Sequence, residues 1–235
     1  MTDNATSAPQ LSPAELAPYI QHTKIEVGVT RDDMIVHAAE CVQYGFNAAM
    51  VAGSWVRLVA SELAGTGIEI ASALDFPIVG ITSSAGKAAE AAELVRLGAT
   101  QLDIGVQVGW LKSGMFAEFR EDIAGVVRAS GVPVKVMLEL PLLTPAERDA
   151  AVDLSIEAGV AYLKNASAGN IEIANRDSIE YLVSRANSRV LVKASGGIKG
   201  YAQSRELLNA GAVLLGTSAG IAIVTDSTDG STSSY

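Results

Sequence analysis

Four stretches of the chain share one arrangement of apolar and polar positions: "CVQYGFNAAMV", "LVRLGATQLDI", "SIEAGVAYLK" and "LLNAGAVLLG". In each, apolar residues at helical spacing run into a glycine, and a short apolar run begins within one or two residues. Glycine at that point supplies the left-handed position that stops a helix. The run that follows is too short for a helix and nearly continuous in apolar residues, which suits a strand covered on both faces. The repeated unit is helix, glycine stop, buried parallel strand.

Extended along the chain, the pattern predicts strands near 20–25, 47–52, 68–74, 100–105, 133–138, 160–164, 189–193 and 212–216. Helices are predicted near 32–44, 54–64, 85–98, 113–130, 144–158, 172–186, 199–210 and 217–224. "TPAERDAAVDL" is a clear helix start, with Thr144 as N-cap, Pro145 in the first position and Glu147 completing a capping box. Eight alternating pairs over about 200 residues predict an α/β fold, a single-domain (β/α)8 TIM barrel. It is expected to span 12–224, with mobile polar tails at 1–11 and 225–235. A doubly wound open sheet is the runner-up, although no GxGxxG turn follows an early strand.

Composition then removes whole classes of function. The 235 residues carry a formal net charge of −9 and no basic block, so neither nucleic acid nor an anionic membrane is an expected partner. No apolar stretch is long enough to span a membrane, and no secretory leader is visible, so a cytoplasmic location is expected. The single cysteine, Cys41, lies in a helical apolar pattern and reads as a small buried hydrophobe in a reducing compartment. With only His22 and His37 as histidines, a zinc site or a Ser-His-Asp triad is poorly supplied. No metal or cofactor is expected, and His22 reads as a hydrogen-bonded barrel residue.

Barrel active sites lie at the C-terminal ends of the strands. That rule selects Thr23 and Lys24, Asp75, Asp103, Glu139, Lys164 and Lys193. Lys164 and Lys193 close neighbouring strands, each at the end of an apolar run. A lone lysine in such a place is more often one half of a salt bridge. Two on adjacent strand ends suggest one cavity in which desolvation and a cationic neighbour favour a neutral amine, the form needed for a Schiff base. Asp103 is available for proton transfer. Gly196 and Gly197 follow the seventh strand, and Thr217 and Ser218 follow the eighth, where barrels commonly cradle phosphate.

With these residues in view, the chain resembles the deoxyribose-phosphate aldolase family over roughly 20–224. "IQHTKI", "DFPIVGITSSAGKAAEAAELVRLGATQLDIGVQVGWLKSG", "VKVMLE", "AYLKNAS" and "VKASGGIK" occur in the family's order and spacing. The resemblance implies a metal-free class I aldolase, an aldehyde-lyase with Lys164 as its Schiff-base lysine. It implies Lys193 as the second lysine that tunes it and Asp103 as an acid/base carboxylate working through water. Gly196, Gly197, Thr217 and Ser218 would hold the substrate phosphate. Lys135 matches a lysine of the family's site wall, in contact with Asp103, with a structural ion pair as the equal alternative. A homodimer acting on a phosphorylated aldehyde or sugar is implied in the same way. The substrate so indicated is 2-deoxy-D-ribose 5-phosphate, cleaved to acetaldehyde and D-glyceraldehyde 3-phosphate.

Departures from the family pattern cluster on the substrate-facing wall. Gln21 stands where the family usually has aspartate and Met50 where it often has cysteine. Ala52 and Gly53 replace Asn-Pro, and "NASAGN" replaces Thr-Ser-Thr-Gly, moving the glycine to Gly169. The alternatives are an aldolase using the same lysine on another carbonyl pair, a phosphosugar isomerase, or a non-catalytic phosphosugar-binding barrel.

Overall fold

The computed structural model describes residues 11–227, and these form a closed barrel of eight parallel strands in sequence order. The strands are β1 Ile20–Lys24, β2 Ala48–Val51, β3 Glu69–Leu74, β4 Gln101–Gly105, β5 Val134–Met137, β6 Tyr162–Lys164, β7 Leu191–Ser195 and β8 Leu214–Thr217. The helices around them are α1 Arg31–Tyr44, α2 Val56–Glu62, α3 Ser84–Leu97, α4 Val108–Lys112, α5 Phe116–Ser130, α6 Pro145–Glu157, α7 Arg176–Ala186, α8 Tyr201–Asn209 and α9 Gly220–Thr225. The barrel expected from the sequence is the one observed, and the open sheet is not.

Local chemistry sets the helix limits. Thr30 and Thr144 each accept from the backbone of the third helical residue, and Asp33 and Glu147 return the bond, giving capping boxes on α1 and α6. Gly45, Gly98 and Gly131 take the left-handed position that ends α1, α3 and α5.

The differences from expectation are also local. The helix expected over 113–130 starts at Phe116, and the short helix α4 precedes it, set off by a turn at Gly114 (φ 72°). The one expected from 172 starts at Arg176, because Asn175 caps Ser178 and Glu172 is drawn inward to Asn165. The last helix begins at Gly220, after β8 has run on to Thr217. Leu11 belongs to the body, accepting a 2.5 Å hydrogen bond from the Tyr201 hydroxyl, and Thr225 is still helical. The remaining tail residues, 1–10 and 228–235, lie outside the described residues.

The two-residue period of each strand sorts its side chains between the helix layer and the barrel interior. Ile20, Leu102, Ile104, Val134, Val136, Leu163 and Val192 join the main apolar core with the helices. Ala48, Met50 and Ala71 form a separate small cluster with Ala73. Such interiors are usually filled with branched aliphatic layers. Here that cluster is three alanines and one methionine, and polar groups take up the remaining volume: Gln21, Gln101, Asp103, Lys135 and Lys193 are all buried.

Candidate active site

Strand register brings the charged residues together. Asp103 pairs with Lys135 across β4 and β5, and Lys164 pairs with Lys193 across β6 and β7. Lys164 Nζ donates to Asp103 Oδ2 at 3.0 Å, and Lys193 Nζ donates to the same oxygen at 2.7 Å. Lys135 Nζ lies 3.2 Å from Asp103 Oδ1 and 5.5 Å from the centroid of the Tyr162 ring. A single carboxylate therefore serves three ammonium or amine groups.

Lys193 crosses the barrel by passing over β8. A Cβ on Gly216 would come within 2.9 Å of Lys193 Cε and of Ser195 Oγ, so the glycine leaves room for the lysine at that crossing. Beyond Asp103, Lys193 Nζ also donates to Gln21 Oε1 at 2.6 Å. The amide nitrogen of Gln21 continues to Gln101 Oε1 at 2.8 Å and Asn47 Oδ1 at 3.1 Å.

These contacts decide the ionisation of the centre. Burial alone would raise the Asp103 pKa, but Lys193, Lys164 and Lys135 together outweigh it and hold the carboxyl far below its usual range. Burial drives Lys193 well below the ordinary lysine value. The pull of Asp103 opposes this, and the charges of Lys164 and Lys135 add to it. Lys135 is lowered for the same leading reason.

One cavity opens at the C-terminal ends of the strands, and both Lys164 and Lys193 line it. Thr23, Gly196, Gly197, Thr217 and Ser218 are on its wall as well, so the structure brings these expected residues together. Two of the expected residues make contacts of their own. Lys135 has no exposed surface and is not on the wall; it lies beneath the cavity as the ion-pair partner of Asp103. The Thr217 hydroxyl donates to Ile198 O at 2.6 Å and accepts from Ala219 N at 2.9 Å, so its proton is already committed to the loop.

Three other strand-end candidates serve different purposes. Asp75, with φ 54°, accepts from the backbone N–H groups of Gly80, Ile81 and Thr82 at 2.8, 3.0 and 2.9 Å. It is tied from behind by Lys87 at 3.1 Å, which also holds Asp122 at 2.8 Å. That cluster shapes the loop carrying Phe76, which does line the cavity. Glu139, with φ 54°, accepts from Ser167 N at 2.9 Å, and its burial raises its pKa. Lys24 lines a different cavity, behind β1.

The altered loop after Lys164 has its own logic. Asn165 clamps β6 to β7, donating to Ser195 O at 3.0 Å and accepting from Ser195 N at 2.9 Å. Its amide also donates to Glu172 Oε2 at 2.7 Å. The displaced glycine, Gly169, packs on the Gly196–Gly197 turn, where a Cβ would come within 2.9 Å of Gly197 N. Nothing in the "NASAGN" stretch itself signals the clamp. The pairing of Asn165 with Ser195 depends on strand register, which no local pattern displays.

Cys41 is buried, and burial pushes its thiol up to about 12, so it is a packed side chain and not a nucleophile. Among the described residues, no helix is long and apolar enough to cross a membrane.

No protein-family model matches the chain. Individual proteins do. It is 40% identical over 206 residues to a deoxyribose-phosphate aldolase of Thermosynechococcus vestitus, covering 87% of this chain and 93% of that protein. It is 38% identical to the deoxyribose-phosphate aldolase of Methanothermobacter thermautotrophicus, covering 89% and 94%. Among solved structures, the tetrameric deoxyribose phosphate aldolase of Aeropyrum pernix superposes with a TM-score of 0.84 at 27% identity, covering 92% of this chain and 93% of that one. With relatives this similar, matched along nearly their whole length, the chain belongs to the deoxyribose-phosphate aldolase family.

Proposed function

We propose that the chain is a class I aldolase that reversibly cleaves 2-deoxy-D-ribose 5-phosphate to acetaldehyde and D-glyceraldehyde 3-phosphate, with Lys164 forming the Schiff base. The observation that carries this reading is that Lys164 and Lys193 both line one cavity while sharing a single oxygen of Asp103. The amine of Lys164 adds to the C1 carbonyl of the open-chain sugar, and loss of water leaves an iminium. A base removes the C3 hydroxyl proton, the C2–C3 bond breaks, and its electron pair passes into the iminium to give an enamine. Glyceraldehyde 3-phosphate leaves. Protonation of the enamine at C2 and hydrolysis release acetaldehyde and restore the lysine.

Proton transfer in this reading belongs to Asp103 and Lys193 acting as a pair. Asp103 has no exposed surface, so its charge reaches the cavity through Lys164, Lys193 or a water admitted between them. Lys193, held below the ordinary lysine range and lining the cavity, is the better-placed proton carrier near neutral pH. Backbone N–H groups of the Gly196–Gly197 turn, together with Ser218, would take the phosphate, while Lys199 on the same wall adds a cation. The expected homodimer, the cytoplasmic location and the absence of a metal from the chemistry belong to the same reading.

The test is reductive trapping. Borohydride with acetaldehyde should add one reduced ethyl group, mapped by mass to Lys164. Adduct mapped to another lysine would overturn the assignment. Cleavage of deoxyribose 5-phosphate should exceed that of free deoxyribose by on the order of a hundredfold, as loss of several charge-assisted hydrogen bonds requires. If acetaldehyde traps but neither sugar is cleaved, the lysine chemistry stands and an aldolase for another carbonyl pair replaces the substrate claim.

A further inference from the structure

The alternation that sends Gln21 and Thr23 into the barrel sends His22 outward, against the helix layer. There it meets α1, on which His37 and Glu40 stand three residues apart and so share a face. The His22 and His37 rings lie 4.7 Å apart between centroids, and His22 Nε2 is 3.5 Å from Glu40 Oε2. One ligand atom from each of the three residues can be chosen so that all lie within 4.8 Å of one another. We propose that His22, His37 and Glu40 form a divalent-cation site, fitted to Zn2+, that pins α1 to β1 behind the catalytic wall.

One of the three donors, on His37, has nothing else to do. His37 is 1% exposed, and its Nε2 has no hydrogen-bond partner. A buried polar atom left in that state is uncommon and calls for a partner. His37 therefore has Nε2 left to offer a ligand. A hydrogen bond to the backbone of His22 fixes that ring, as partners outside the ligand set commonly do for metal-bound imidazoles. On His22, a Cβ at Gly220 would come within 2.7 Å of Nδ1, so that side of the ring is packed against α9 and Nε2 is the nitrogen facing Glu40.

The geometry needs a contraction on binding. Tetrahedral zinc with bonds of roughly 2.0–2.1 Å sets its ligand atoms about 3.3 Å apart. The His22–Glu40 pair is already at 3.5 Å and the Glu40 side chain is 31% exposed, while the set as a whole, within 4.8 Å, draws together around the ion. Imidazole and carboxylate donors suit zinc among the common divalent ions. The fourth position would face the adjoining cavity of ≈ 320 Å³, which admits water. Lys24 is the one basic side chain on its described lining, against the carboxylates of Glu26 and Glu40, so the local balance favours a cation. The composition argument against metal still applies to the chemistry, because this site lies outside the cavity holding Lys164 and Lys193.

The full-length protein, stripped with EDTA and exchanged into metal-free buffer, is titrated with ZnCl2 against a chromogenic chelator. One equivalent should bind, and Co2+ should give the visible absorption of a tetrahedral site. Glu40→Gln keeps the shape of a half-buried side chain and should weaken binding by about tenfold or more, a loss typical of a disturbed metal site. His37→Gln should abolish the Co2+ absorption, with circular dichroism checking that each variant folds. No saturable binding by the wild type, or equal binding by wild type and Glu40→Gln, overturns the site. Acetaldehyde trapping on Lys164 should survive EDTA in every case, so failure of this proposal is distinguishable from failure of the aldolase reading.

Discussion

Lys193 Nζ donates to the side-chain oxygen of Gln21 at 2.6 Å, joining residues 172 positions apart in the chain. The acceptor is a neutral amide. A carboxylate there would favour the ammonium form, whereas an amide satisfies the amine's geometry without adding charge. Among the described residues, Gln21 thus leaves Asp103 as the only carboxylate paired with Lys193, and Asp103 is shared with Lys164 and Lys135. The departure at Gln21 therefore bears on the ionisation of the centre as well as on the substrate wall.

The identity of the nucleophile is tested by Lys164→Arg. Guanidinium keeps the positive charge but does not deprotonate in proteins, so no borohydride-stable acetaldehyde adduct should form. Lys164→Met controls for the larger side chain. Lys193→Leu should still trap, with its rate optimum displaced along the pH axis. Mass spectrometry of each trapped variant decides the matter, and full labelling of Lys164→Arg would move the nucleophile elsewhere.

Asp103→Asn should be among the most damaging substitutions in the chain. It leaves Lys164, Lys193 and Lys135 facing one another with no anion, and breaking a buried ion pair in this way costs about 3–5 kcal/mol. The loss should be greatest at low pH and shrink as pH rises, because deprotonation relieves the stranded ammonium groups. Urea unfolding of wild type and variant across neutral to alkaline pH checks both the size and the trend.

Lys193→Met isolates the ionisation of that lysine. The folded-state pKa of Lys193 lies well below its ordinary 10.5. Between those two values the unfolded chain binds more protons than the folded one, so stability rises with pH and is lost as pH falls. The slope for a single proton is at most about 1.4 kcal/mol per pH unit. The stability of wild type minus that of Lys193→Met should therefore increase with pH through this window. A flat or falling difference would mean that Lys193 stays charged in the folded protein.

Gly216→Ala separates positioning from folding. The new Cβ would press on the flexible end of Lys193 and on the Ser195 hydroxyl, both of which can shift. Overpacking of this kind costs about 1–3 kcal/mol of stability, within what a folded barrel tolerates. Activity should suffer through the displaced Nζ, with kcat/KM falling on the order of tenfold or more, equivalent to ~1.4 kcal/mol in the barrier. Loss of stability with unchanged kcat/KM would show that the position of Lys193 over β8 does not matter to the reaction.

The barrel was legible because glycine stops punctuate it: Gly45, Gly98, Gly159 and Gly211, which end the helical runs in the four repeated stretches, all have positive φ. The lysines were legible because a cation closing an apolar run is conspicuous. Less legible was the direction in which each strand residue points, since strands buried on both faces offer no alternation of polarity. His22 shows the limit. It reads as one polar residue among three, and only the closed sheet reveals that it faces α1 while Gln21 meets Lys193 and Thr23 lines the cavity. Asp75 and Glu139 sit at the right strand ends, yet both adopt left-handed backbone that turns their carboxylates onto loop amides. Long-range partners such as Lys87 and Asp122 leave no mark in local spacing.

Where other barrels carry an inert plug of branched side chains, this one carries its reagents. The lysines and Asp103 fill the space that would otherwise be packing, so every change to the chemistry is also a change to the foundation. New specificities should therefore arise at the margin and not at the centre. Ser167, Ala168, Ser218 and Phe76 touch the cavity without touching Asp103, and they are where this protein can be taught a different sugar while the machinery underneath is left standing.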